Sequence, residues 1–102
     1  MLHGLGAAPL ELARLAQEAH QEGFTVRVPA IDGYCFGTTP KPWTHWRDQV
    51  LEHYWACKKQ FETVSVLGVS MGATLALHLG EMERPTSVVA LSAALGYDGW
   101  AI

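Results

Sequence analysis

The sequence predicts an α/β fold in which helices lie on both faces of a mostly parallel sheet. Short β-branched and apolar runs alternate with helical patterns along the 102 residues, and this order predicts parallel strands with right-handed crossovers. Residues 68–72 read Gly-Val-Ser-Met-Gly and lie where a strand would turn into a helix. Hydrophobic residues make up 49% of the chain and charged residues 17%, which suits a sheet that is covered on both faces.

The first half of the chain predicts a helix, a strand and a long loop. The helix is predicted by apolar residues at spacings of three and four, which give it one buried stripe: Leu12, Leu15, Ala16 and Ala19. Gly23 ends this helix. Residues 24–29 read Phe-Thr-Val-Arg-Val-Pro and predict the next strand. Residues 30–43 are rich in Gly, Pro and Thr and predict a loop.

The second half predicts two helices and two strands. The inner face of the first of these helices is marked by apolar residues, namely Trp46, Val50, Tyr54, Cys57 and Phe61. Thr44 is its predicted N-cap. Residues 63–69 predict a buried strand, and the apolar segment from Ala73 to Glu81 predicts a helix that is covered on most sides. Residues 87–91 predict the last strand.

Ser70 lies between two glycines in the predicted turn from strand to helix, which is the setting of a nucleophile elbow. Side chains at Gly68 and Gly72 would collide with the adjoining strand and helix, and so the tight turn requires glycine at both positions. The turn would lift the Ser70 hydroxyl clear of the sheet and aim the first helical N–H groups at its target. The alternative interpretation is a tight turn without a catalytic role.

A second motif, His3-Gly4-Leu5-Gly6, follows the apolar pair Met1-Leu2 and precedes the first helix. With these two motifs the chain resembles the α/β-hydrolase family, whose oxyanion loop often begins His-Gly. The resemblance covers nearly all of the chain and is strongest to small carboxylesterases and monoacylglycerol lipases. It implies that Leu5 and Met71 offer backbone N–H groups to an oxyanion, while His3 and Gly4 support the loop. Phosphate binding by this Gly-x-Gly pattern is disfavoured, because Pro9 stands where a third glycine is needed.

The resemblance also implies a triad in the chain order serine, acid, histidine. His78 is the only histidine after Ser70, and at eight residues' distance it lies about 12 Å further along the helix. A general base must approach to about 3 Å, so His78 is excluded. The triad acid and histidine are expected beyond Ile102, and Asp98 is expected to be a turn residue. Residues 1–102 are therefore expected to be a partial α/β-hydrolase domain, from the oxyanion loop to the strand after the elbow.

The predicted function is that of a serine hydrolase of the carboxylesterase or lipase type, which cleaves acyl esters through an acyl-enzyme on Ser70. The 102-residue chain alone is expected to be inactive or very weak, because no base is evident. A peptidase or acyltransferase on the same fold is one alternative. A truncated remnant without catalytic activity, or an interaction module, is the other.

Composition limits the classes of partner and cofactor that the chain is expected to bind. The net charge is −3, which gives no reason to expect nucleic acid, and no run approaches the roughly 18 apolar residues that would span a membrane. Cys35 and Cys57 lack metal-site spacing and are predicted to be free thiols; neither a metal nor another cofactor is predicted. Without a visible secretory signal, the predicted location is cytoplasmic. Open sheet edges, such as the one beside Val88 and Val89, predict self-association.

Overall fold

The computed structural model describes residues 1–93, which form helices and a short parallel sheet. Its regular elements are a 3-10 turn at Pro9–Leu12, α1 at Ala13–Gln21, α2 at Trp43–Gln60, β1 at Val66–Val69, α3 at Met71–Glu83 and β2 at Val88–Leu91. β1 and β2 are parallel neighbours, with Val66 opposite Val88 and Val69 opposite Leu91. The predicted α/β class is confirmed. Asp98, the proposed turn residue, lies outside the described residues.

The core lies where α3 covers the sheet and α2 packs against α3. α3 turns its small and apolar face inward, burying Gly72, Ala73, Leu75, Ala76 and Leu79. Ile31, Val50 and Tyr54 join the same buried cluster. α3 is covered on most sides as far as residue 80, as expected, where Leu77 is the one exposed side chain at 40%. The apolar run did not show which of its faces the sheet and α2 would cover.

Met1 and Leu2 lie between β1 and residues 24–29. Leu2 forms a parallel bridge with Gly68; its N–H donates to the Leu67 carbonyl at 2.8 Å, and its own carbonyl accepts from Val69 at 3.1 Å. On the other side, the Met1 amino group donates to the Arg27 carbonyl at 2.8 Å. The strand predicted at residues 24–29 was wrong, because the structure assigns no strand there. A strand needs a ladder of successive bonds to a neighbour, and the bond from Met1 to Arg27 is the one backbone bond between these two stretches in the described structure.

Two other boundaries differ from prediction. α2 begins at Trp43 with Pro42 in the N-cap position and no side-chain cap bond, so the predicted Thr44 cap was wrong. β1 begins at Val66 rather than at residue 63. The preceding residues still contact the approach to β2, since the Val64 carbonyl accepts from the Thr86 N–H at 2.8 Å. This backbone bond keeps the two segments side by side, but it does not extend the β1–β2 ladder to residue 63.

No helix within residues 1–93 combines the length and the apolar character that a membrane crossing requires.

The orientation of α3 can be tested with two leucines of the same helix. Leu79 is 2% exposed and belongs to the core, whereas Leu77 is 40% exposed. We expect Leu79→Ala to lower the free energy of unfolding by about 2–5 kcal/mol, because it leaves a cavity in the core. Leu77→Ala should cost less than about 1 kcal/mol. Urea unfolding measures both, and equal losses would contradict the face assigned to α3.

Candidate active site

Ser70 connects β1 to α3 through a backbone conformation that few residues adopt. Its φ is 57° and its ψ is −120°, a region that carries strain for any residue other than glycine. Neighbouring backbone holds it there: the Ser70 N–H donates to the Leu91 carbonyl at 2.9 Å, and its carbonyl accepts from Ala73 at 3.0 Å and from Thr74 at 3.2 Å. Ser70 itself is exposed. The serine is thus presented at the carboxyl end of β1.

The two glycines that flank Ser70 occupy positions where a side chain would overlap backbone. A Cβ built at Gly68 would overlap the carbonyl of Gly72, so β1 and the first turn of α3 are in close contact. A Cβ at Gly72 would overlap the carbonyl of Leu2 and would lie 2.6 Å from the carbonyl oxygen of His3. The second glycine therefore lets α3 approach the stretch that leads into the loop at residues 3–7.

That loop reaches Ser70 because Leu2 pairs with β1. A Cβ built at Gly4 would lie 3.6 Å from the Ser70 Cβ and 3.8 Å from the Val69 carbonyl oxygen. The two motifs are more than sixty residues apart in the sequence, and the parallel bridge of Leu2 with Gly68 brings them together at one end of the sheet.

His3 is fully buried and uses both ring nitrogens to hold the loop. Its Nε2 accepts from the N–H of Ile31 at 3.1 Å, and its Nδ1 lies 2.9 Å from the Gly4 carbonyl oxygen. Because Nε2 accepts a hydrogen bond, the ring proton is assigned to Nδ1, which then donates to Gly4. With both nitrogens engaged, His3 cannot serve Ser70 as a base.

The bonds to Gly4 orient the next peptide. The Gly4 carbonyl accepts from His3 Nδ1 at 2.9 Å and from the Ala7 N–H at 3.2 Å. In a planar trans peptide the N–H points away from the carbonyl, so the Leu5 N–H points away from these partners. Within residues 1–93 the Leu5 N–H has no acceptor. Met71 begins α3, where the first N–H groups find no carbonyl within the helix.

Two further side chains bind this loop, and the sequence analysis identified neither of them. Glu11 Oε1 accepts from the Gly4 N–H at 2.6 Å. The Tyr34 hydroxyl donates to the His3 carbonyl at 2.8 Å. Burial raises the pKa of Tyr34, with the neighbouring Cys35 and Glu11 adding to the rise, so the phenol remains a protonated donor. Neither residue belongs to a motif, and only their position beside the loop reveals them.

Three of the other histidines have contacts elsewhere in the structure. His45 Nε2 lies 3.1 Å from Asp32 Oδ2 in an exposed pair. The ring of His20 lies 3.3 Å from the Phe24 carbonyl, and His78 packs edge-on against Trp43. All five histidines of the chain lie in the described residues, and none of the hydrogen bonds there joins one of them to Ser70.

Within residues 1–93 no metal site accompanies Ser70. No group of three His, Cys, Asp or Glu side chains in this part of the chain could hold a metal ion, and both cysteines are free thiols, as predicted. A cleft of about 580 Å³ lies between residues 24–29, the second half of α2 and the start of β1. Its lining includes neither Ser70 nor the loop at residues 3–7, so it is separate from the candidate site.

Comparisons with known proteins identify the family of this chain. The model of the alpha/beta hydrolase family matches residues 1–102. A thermostable monoacylglycerol lipase from Bacillus sp. (strain H-257) is 32% identical over 84 residues, which are 79% of this chain and 34% of the lipase. The chain thus spans about a third of the length of this curated relative. Because the family match extends over its whole length, the chain belongs to the alpha/beta hydrolase family.

Proposed function

We propose that this chain carries the nucleophile and the oxyanion donors of a serine hydrolase that cleaves acyl esters. The observation that carries the proposal is the strained backbone of Ser70, at φ 57°, on the turn between β1 and α3. Strain of this kind persists only where the surroundings enforce it and is concentrated at functional sites. The loop that begins at His3 lies beside Ser70, since a Cβ built at Gly4 would lie 3.6 Å from the Ser70 Cβ, and this proximity supports a place for the Leu5 N–H near the serine.

In the proposed reaction, Ser70 Oγ attacks the ester carbonyl carbon while a general base removes the hydroxyl proton. The carbonyl oxygen becomes an oxyanion that accepts from the N–H groups of Leu5 and Met71. Collapse of the tetrahedral intermediate breaks the ester C–O bond and releases the alcohol, which takes up the proton. Water then attacks the acyl carbon as the base takes its proton, the bond to Ser70 Oγ breaks, and the carboxylic acid leaves while the proton returns to Ser70. Removing one oxyanion donor typically costs 10²–10³-fold in rate, an order-of-magnitude figure.

We place the base outside residues 1–93, because no hydrogen bond in this part of the chain joins a histidine to Ser70. Oxyanion donors without a base leave a serine only weakly nucleophilic. The absence of a base beside Ser70 in this part of the chain also favours the second candidate, a domain that keeps the hydrolase fold without catalytic activity. Covalent labelling of Ser70 distinguishes the two.

The proposed substrates are esters with an apolar acyl group, monoacylglycerols among them. The relative from Bacillus is named a monoacylglycerol lipase. Exposed apolar side chains also occur beside the loop: Leu5 is 59% and Phe36 78% exposed, and the Phe36 N–H donates to the Ala7 carbonyl at 2.6 Å. Their apolar surface is suited to an acyl chain and gives no charged contact for a peptide terminus.

A fluorophosphonate probe tests the proposal, because it reacts with a serine that is activated beside an oxyanion hole. We expect the probe to label Ser70 in the folded protein expressed from its complete reading frame, with the adduct located by peptide mass spectrometry. Unfolding in guanidinium before the reaction should abolish labelling, since the elbow is then lost. A folded protein that stays unlabelled, or carries the label on another serine, would overturn the assignment and support the non-catalytic candidate.

A further inference from the structure

The His3–Gly4 peptide is held at both of its polar ends by side chains from separate parts of the chain. Its carbonyl accepts from the Tyr34 hydroxyl at 2.8 Å, and its N–H donates to Glu11 Oε1 at 2.6 Å. A peptide bonded at both ends cannot rotate about the chain without breaking two hydrogen bonds, and one of these involves a carboxylate and is correspondingly strong.

Tyr34 binds the loop a second time through its backbone. Its carbonyl accepts from the Gly6 N–H at 2.8 Å, so Tyr34 contacts the loop on either side of the Gly4–Leu5 peptide. The phenol ring is fixed as well, since it stacks on the His3 ring with the ring centres 4.8 Å apart. Its centre also lies 4.9 Å from that of the Trp46 ring. Tyr34 is 4% exposed, and water therefore has little access to compete for its hydroxyl.

Glu11 lies on the Ser70 side of the same loop. A Cβ built at Gly4 would lie 3.4 Å from Glu11 Oε1 and 3.6 Å from the Ser70 Cβ. A negative charge this close to a developing oxyanion would oppose it. Because its charge would disfavour the oxyanion, we expect Glu11 to act through its acceptor oxygen. A neutral amide could supply the same oxygen.

We propose that Tyr34 and Glu11 are positioning residues that fix the His3–Gly4 peptide and thereby direct the Leu5 N–H toward the oxyanion. The inference rests on the proposed function, because the Leu5 N–H is an oxyanion donor only in that reaction. Neither side chain takes part in the bond changes of the reaction. Each acts through the adjoining Gly4–Leu5 peptide, whose N–H has no acceptor within residues 1–93.

Conservative variants separate this role from a general structural one. Tyr34→Phe keeps the ring stacking and removes only the hydroxyl donor. Glu11→Ala removes the acceptor of the Gly4 N–H, whereas Glu11→Gln keeps an oxygen acceptor and removes the charge. We expect Tyr34→Phe and Glu11→Ala to lower kcat roughly 10–100-fold, as small misplacements of catalytic groups do, with KM changed less than about threefold because the donor acts mainly on the transition state. Glu11→Gln should restore kcat to within a few-fold of wild type.

A boronic acid inhibitor gives a second readout, since its adduct with serine is a tetrahedral anion. Its inhibition constant should rise by the same factor by which kcat/KM falls. Losses in kcat with an unchanged inhibition constant would overturn the proposal, and so would a Glu11→Gln variant as impaired as Glu11→Ala.

Amide hydrogen exchange tests the peptide without reference to activity. The Gly4 amide should exchange slowly in the wild-type protein and in Glu11→Gln, and at least about tenfold faster in Glu11→Ala. If fluorophosphonate fails to label Ser70 while this exchange pattern holds, the proposed function is wrong. The claim that Glu11 fixes the His3–Gly4 peptide is then still supported. If Ser70 is labelled but Gly4 exchange is the same in all variants, the positioning role is wrong and the proposed function stands.

Discussion

Replacing Ser70 with alanine should lower kcat for ester hydrolysis by about 10⁴-fold or more, since loss of the nucleophile removes the acyl-enzyme route. The measurement is the hydrolysis of a chromogenic short-chain ester by the protein expressed from its complete reading frame. Ser65→Ala is the matched control. Ser65 is an exposed serine whose hydroxyl bonds Ser87 at 2.7 Å, and its loss should leave kcat within about twofold of wild type. Hydrolysis at the wild-type rate by Ser70→Ala would exclude Ser70 as the nucleophile.

Ser70→Gly extends this test to stability. Glycine adopts the φ of 57° found at this position without the strain that a Cβ imposes. We expect this variant to be as inactive as Ser70→Ala. Its free energy of unfolding should exceed that of Ser70→Ala by about 1 kcal/mol. Such an opposition between activity and stability is expected where strain serves function. A Ser70→Gly variant that is less stable than Ser70→Ala would show that the backbone is not strained there.

Gly72→Val should eliminate soluble protein or lower the free energy of unfolding by more than about 3 kcal/mol. The reason is backbone contact: any Cβ at Gly72 overlaps the carbonyl of Leu2, and relief would require breaking the bridge between Leu2 and Gly68. Both the elbow and the loop at residues 3–7 depend on that bridge, so activity should be lost with stability.

Gly80 offers the control on the same helix. A Cβ at Gly80 would meet the side chain of Val88, with Cγ2 at 2.8 Å, and a side-chain methyl can move where a backbone carbonyl cannot. Gly80→Ala should therefore change the free energy of unfolding by less than about 1 kcal/mol, since it also gains helix propensity. Gly72→Ala, with the same added atom, should be far more damaging. Thermal unfolding compares the pair, and equal effects would contradict the close approach at Gly72.

The predictions that succeeded concern patterns contained in short segments. The strand, turn and helix around Ser70 were predicted from neighbouring residues, because glycines on both sides of a serine and an apolar run on each side are local signals. The helix at residues 43–60 was likewise predicted from the spacing of its apolar residues. The strand predicted at residues 24–29 failed because a strand needs a neighbour. Residues 24–29 have strand composition, yet composition cannot supply the backbone partner that makes a strand.

By itself, the sequence determined the α/β class, the family and the position of the elbow at Ser70, since these depend on local periodicity and on residues with special backbone requirements. Tertiary structure alone decided what lies beside that elbow. The pairing of Leu2 with Gly68 brings the loop at residues 3–7 to Ser70, and Tyr34 and Glu11 reach the loop from other parts of the fold. Such contacts join residues that are far apart in the chain and arise only when packing closes the intervening loops, so no pattern in the sequence foretells them.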